Sequence, residues 1–171
     1  VPLGELVHHR ERVRAVIRAL PPETQDVLLL LVGTAWHVSE ARRFAKSGEI
    51  VSSLQPGILS VLVTRHKTKK FTRTGVVLPE TLEAAKRIRA RGRIHTGKWL
   101  NEIIGRACDK LKLPRFNAGV MRHSVATWGI EAGADMGTVS NFMDHESKKT
   151  TARWYVDTAH AKPPIPIMPM L

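Results

Sequence analysis

Between Gly4 and Leu20 the apolar residues Leu6, Val7, Val13, Val16, Ile17 and Leu20 recur at helical spacing, and Pro21-Pro22 closes that helix and opens the next. The run from Val27 to Val32 is apolar on every side, which a helix tolerates only when it is buried all round; the Pro22-Glu23 start marks a helix rather than a strand. This segment is expected to be the central core helix. The pattern then changes. Short β-branched runs at Ile50–Leu54, Ile58–Thr64 and Thr74–Leu78, separated by Pro56-Gly57 and by the basic Lys67-Thr68-Lys69-Lys70, predict a small three-stranded antiparallel sheet. After Pro79 helical spacing returns over 80–90, 97–113, 117–132, 135–143 and 148–156, with Asn117 and Asp135 suited to N-caps and Gly133 to a stop. The tail from Lys162 has four prolines in its last ten residues, so it should extend over a surface. The expected class is mostly α with a small three-stranded antiparallel sheet (α+β), with residues 1–160 as one domain and 161–171 as an extended Pro-rich arm.

Composition narrows the setting. A chain of 171 residues, 43% hydrophobic and 25% charged, suits one globular core, and no segment approaches the roughly 20 apolar residues of a membrane span. The start at Val1, without Met or an apolar leader, is expected to be the start of a fragment. Cys108 is the single cysteine, so no internal disulfide forms; a buried thiol in a reducing compartment is the expectation.

Charge changes the picture more. From Thr64 to Arg122 there are 16 Lys or Arg against 4 Asp or Glu, whereas the rest of the chain balances 11 against 11. A solvated face interleaves signs, so an excess confined to one third of the sequence points to a polyanion, and double-stranded DNA is the expected partner. An anionic membrane would require an amphipathic helix with Trp, Phe or Leu opposite the lysines, but the basic residues begin in a strand pair. His8, His9, His37, His66 and His145 show no metal-ligand spacing, so neither a metal nor another cofactor is expected.

Local sequences on this framework resemble one family. Gly33-Thr34-Ala35-Trp36-His37-Val38-Ser39-Glu40 is similar to the tyrosine recombinase (phage integrase) motif in which a Thr-Gly-Leu turn delivers a catalytic Arg. Arg65-His66-Lys67-Thr68-Lys69-Lys70, followed by Val76-Val77-Leu78-Pro79, resembles the hairpin that carries the catalytic Lys. Met121-Arg122-His123-Ser124, Glu131-Ala132-Gly133, Met143-Asp144-His145 and Arg153-Trp154-Tyr155 resemble the stretch running from the second Arg to the nucleophilic Tyr. The resemblance covers about residues 10 to 157, and it implies a cytoplasmic, nucleoid-associated location of bacterial or phage type and an N-terminal DNA-clamp domain missing before Val1.

It implies that a Tyr hydroxyl attacks a DNA phosphate, leaving a phosphotyrosyl link and a free 5' hydroxyl able to reverse the step. Such phosphoryl transfer rests on positioning and charge stabilisation. The residues carried over are Tyr155 as nucleophile, Arg122 as a guanidinium clamp, His145 as an imidazole donor, Lys67 as acid for the leaving oxygen, and His37 at the position of the first Arg. Arg65, Lys69, Lys70, Arg73, Lys98 and Arg106 are the expected DNA-backbone contacts. His123 fits the common Arg-His pair as a structural neighbour.

Three departures bear on activity. His37 replaces the first Arg and cannot fork onto a phosphate. Gly119 stands three residues before Arg122, where the family has His or Lys. Tyr155 falls ten positions after His145 rather than nine, where Trp154 stands, and one residue on a helix is a rotation of about 100°. Two functions stay open: a working recombinase that cleaves and rejoins DNA, or a catalytically lapsed accessory protein derived from one, with weak or absent turnover. Self-association on DNA through the C-terminal tail is expected of either. An RNA-binding or regulatory helical protein accounts for the charge but not for the motifs.

Overall fold

The computed structural model describes residues 3–52, 57–58, 60–65, 71–143 and 169–171. In chain order these form helices α1 (Leu3–Ala19), α2 (Pro22–Thr34) and α3 (Val38–Ser47), strands β1 (Glu49–Ser52), β2 (Ser60–Arg65) and β3 (Phe71–Val76), then α4 (Pro79–Arg91) and α5 (Gly97–Lys110). A single 3-10 turn (Ala118–Val120), α6 (Met121–Glu131) and α7 (Met136–Met143) follow. The fold is mostly helical with one antiparallel sheet in the order β1-β2-β3.

Helix α2 is the axis of the core. Every residue from Val27 to Val32 is at most 2% exposed, with α4, α6, α1, α3 and β3 packed around it. Truncating any one of Leu28 to Leu31 to Ala should cost about 2–5 kcal/mol. Gly33 lets α4 approach closely, because a Cβ there would lie 2.1 Å from Thr81 Oγ1, and that hydroxyl donates to Leu29 O at 2.9 Å.

The sheet is two-faced. Leu62, Thr64, Thr72, Thr74 and Val76 are buried, and Leu62 and Val76 join the helical core; Val63 packs with Val51, Ile58 and Phe71 in a separate cluster. The register Leu62↔Thr74 and Thr64↔Thr72 places these residues opposite one another. Two threonines are tied to the α2–α3 region: the Trp36 indole donates to Thr74 Oγ1 at 2.9 Å and Thr64 Oγ1 donates to Glu40 O at 3.3 Å.

Several boundaries differ from the sequence expectation. Helix α3 is an additional element, whose buried face is only Glu40, Ala41, Phe44 and Ala45. Strand β3 begins at Phe71 rather than Thr74, because its buried positions are occupied by threonines that do not read as apolar alternation. Helix α5 stops at Lys110 rather than Leu113: Lys112 turns left-handed at φ 56°, and Leu113 N–H donates to Cys108 O at 2.9 Å. Asn117 caps the 3-10 turn that leads into α6 rather than α6 itself, accepting from Val120 N. Gly133 ends α6 at φ 105°, and Asp135 Oδ1 accepts from Thr138 N at 2.8 Å, as expected of a stop and a cap. The predicted helix over 148–156 lies outside the described residues. At the end of the chain Met170 is not on a surface but 0% exposed within the core, while Glu80 accepts from the N–H groups of Met170 and Leu171 and Arg10 donates to Pro169 O. Cys108 is fully buried.

Candidate active site

The turn after α2 is built around Thr34. Its hydroxyl donates to Leu30 O at 2.7 Å and accepts from Trp36 N–H at 3.2 Å, which reverses the chain within two residues. Ala35 takes the left-handed conformation, φ 58°, and its N–H closes the helix on Leu31 O. A Cβ in that region costs about 1 kcal/mol, so neighbouring contacts must hold the turn. Trp36 does so by burial, with its ring 5.4 Å from that of Phe44. His37 then stands exposed as the N-cap of α3, its backbone N–H donating to Glu40 Oε1 at 3.2 Å.

Arg122 reaches this turn from α6. Its guanidinium donates through Nη1 to Ala35 O at 2.9 Å and through Nη2 to Met143 O. One side chain therefore ties the α2–α3 turn to the C-terminal end of α7, from which the chain runs on to His145. Its plane is fixed by two carbonyls, and the group carries five N–H donors.

The structure brings His37 and Arg122 together. Partial burial holds His37 below the ordinary histidine pKa, the Arg122 charge presses it lower, Glu40 opposes that, and His123 and Arg43 press it down again. His37 is thus neutral near pH 7, a weaker anion ligand than the Arg it replaces. His123, treated from sequence as a structural neighbour, is exposed and close enough to act on His37. Arg43 was not foreseen in this cluster; its position, six residues after His37 on a helix that the pattern did not predict, gave no signal.

The remaining candidates are placed elsewhere or not at all. Lys67, Lys69, Lys70, His145 and Tyr155 lie outside the described residues, and Arg65 is described only as part of β2. Arg73 is half-buried on β3, opposite Val63. Lys98 and Arg106 are exposed on α5, which packs on α1 and the 3-10 turn; Arg106 pairs with Glu102 at 2.9 Å and lies 5.8 Å from the Trp99 ring centre. Gly119 is exposed on the 3-10 turn, where an added Cβ would meet Asn117 Oδ1 at 3.2 Å. A cavity of about 300 Å³ sits at the opposite end of α2, lined by Glu23, Arg91, Arg93, Ile94 and His95. It holds none of these candidates, and Asp26 and Glu23 already pair its Arg91 and His95.

At the C-terminal end of the buried helix α2, an Arg from α6 thus pins a turn built on Thr34. Residues 67–162 match the phage integrase family, more than half of the chain. The chain belongs to that family. Among its relatives, the tyrosine recombinase XerC of Bifidobacterium longum (strain DJO10A) is 34% identical over 65 residues, covering 38% of this chain and 18% of that protein. Two solved structures share the fold: the XerH site-specific recombinase bound to palindromic difH substrate in a post-cleavage complex, and the same recombinase with difH substrate in a pre-cleavage complex. Each has a TM-score of 0.61 and 16% identity over 86% of this chain, which spans 47% and 48% of the respective solved chains. The chain thus spans about half the length of those recombinases and matches under a fifth of XerC. Among the described residues, no helix is long and apolar enough to cross a membrane.

Proposed function

We propose that this chain is the DNA-handling catalytic half of a site-specific tyrosine recombinase. The unit is residues 1–160, with 161–171 as an arm. Tyr155 attacks the scissile phosphate, Arg122 and His145 stabilise the developing charge, and Lys67 protonates the leaving oxygen. His37 occupies the place of the first guanidinium. Arg65, Lys69, Lys70, Arg73, Lys98 and Arg106 contact the backbone of duplex DNA. The observation that carries this reading is the meeting of His37 and Arg122 at the α2–α3 turn, from residues 85 positions apart in sequence, with Arg122 bonded to Ala35 O. Self-association on DNA through the arm belongs to the same proposal. Its support is the socket that holds the last three residues: Met170 buried and two N–H groups on the Glu80 carboxylate make a contact that a second copy can supply equally well.

A second reading has its own observation. His37 is held neutral and Gly119 presents no side chain, so two anion donors are weakened or lost, each costing on the order of a hundredfold to a thousandfold in rate. The alternative is a catalytically lapsed, DNA-binding accessory protein. A nicked suicide duplex separates the two, because only an active enzyme remains covalently attached and Tyr155→Phe abolishes that attachment. If the wild type gives none but binds, the triple change His37→Arg, Gly119→His, Trp154→Tyr tests whether the missing groups are the cause. A triple variant that binds without attaching ends the active-site assignment and leaves a binding module.

A further inference from the structure

We propose that His37 engages a DNA phosphate only as the imidazolium, so that phosphodiester binding at the His37–Arg122 cluster takes up one proton. This rests on the DNA-binding reading above and specifies how that site works.

The argument begins with position. His37 is exposed at the first turn of α3, immediately after the turn that Arg122 grips through Ala35 O, so an anion approaching the guanidinium from solvent also meets the imidazole. The charged groups acting on it are Arg122 and His123 from α6 and Glu40 and Arg43 from its own helix. Of the elements packed on α3, α4 contributes Arg89, which is committed to Ala45 O at the far end of α3 at 2.6 Å, and β2 ends in Arg65; Arg73 is half-buried on the neighbouring β3. In the free protein the balance opposes protonation, since partial burial and the Arg122 charge outweigh Glu40, whose carboxylate accepts from the His37 backbone N–H.

A phosphodiester reverses that balance. A neutral imidazole offers one N–H donor and no charge, whereas the imidazolium offers two donors and a full charge. An anionic oxygen between His37 and Arg122 screens the guanidinium and attracts the proton, which raises the His37 pKa in the complex. The phosphodiester does not titrate near neutrality, so the proton taken up resides on the protein. An Arg at this position would bind with no such dependence. The sign follows by linkage: affinity rises as pH falls from the complexed to the free pKa of His37, by up to about tenfold per pH unit, and levels off below the free value.

The test measures duplex DNA affinity of the full chain at constant ionic strength between about pH 8 and about pH 5.5, the range in which histidine titrates. NMR of the His37 ring with and without duplex runs alongside. The expected results are a steeper pH dependence for wild type than for His37→Gln, an upward move of the His37 midpoint on adding DNA, and an unchanged difference in His123→Gln. His37→Arg should bind tightly without the extra dependence. His37 is exposed, so these variants keep the fold, and the ring titration needs no variant. Wild type and His37→Gln titrating alike, a His37 midpoint unmoved by bound DNA, or loss of the dependence in His123→Gln each overturn the proposal. Absence of DNA binding at every pH overturns the proposed function instead.

Discussion

At the N-terminal end of α2 Asp26 is buried, its side chain 4% exposed, and receives Arg87 at 2.9 Å and Arg91 at 2.5 Å, while Glu23 lies 3.5 Å from His95. At the C-terminal end, Arg122, His123, Arg43 and Glu40 all act on His37, and the Glu40 carboxylate accepts from a backbone N–H. The same residue types meet at both ends of one helix. At the first end, side-chain carboxylates fasten α4 to α2; at the second, Arg122 ties α6 to the α2–α3 turn through a backbone carbonyl. A net positive charge in a sequence therefore does not say which cations are available to DNA. Their partners do.

That contrast is open to direct attack. The largest effect is expected for Arg122→Ala, which removes a charge-stabilising donor and two bonds to carbonyls: covalent attachment to a nicked duplex should fall about a hundredfold to a thousandfold. Asp26→Asn should instead cost about 1–3 kcal/mol in urea unfolding and leave DNA affinity unchanged, because its loss touches only the fastening end. If Asp26→Asn weakened DNA binding as much as Arg122→Ala, the two ends would not be distinct. Ala35→Gly should stabilise the fold by up to about 1 kcal/mol by relieving the left-handed alanine, a gain that calorimetry would register. The smallest effect concerns pH. The folded protein holds His37 below the ordinary value of 6.5, so the unfolded chain binds more protons and stability falls as pH drops through that value; His37→Gln should flatten the decline in pH-dependent urea melts.

Much of the fold was legible because its signals are local. The unbroken apolar run of α2 announces burial, Gly133 announces a stop, and Asp135 a cap. Helix α3 and the first half of β3 were not, because Glu40, Thr72 and Thr74 are polar residues at buried positions, where the apolar alternation that marks an element is missing. The site was legible as a set of residue types at family spacing, including the Thr34 turn and Arg122. The part played by Ala35 was hidden, since nothing in the letter Ala reveals a left-handed φ or a carbonyl aimed at residue 122. The depression of the His37 pKa was hidden for the same reason: besides partial burial, the three charges that lower it lie on another helix or more than one turn away along α3.

The sealed position of Cys108 turns the molecule into its own clock. It is the sole thiol of the chain and has no exposed surface, so a thiol-reactive dye meets it only when the core opens. With dye in excess and reclosing fast, the labelling rate reads the free energy of opening; with reclosing slow, it reads the unfolding rate itself. Any duplex that binds the folded state should retard that labelling in proportion to its saturation, without altering the intrinsic reactivity of the exposed thiol. Occupancy of the surface would then be timed from the interior.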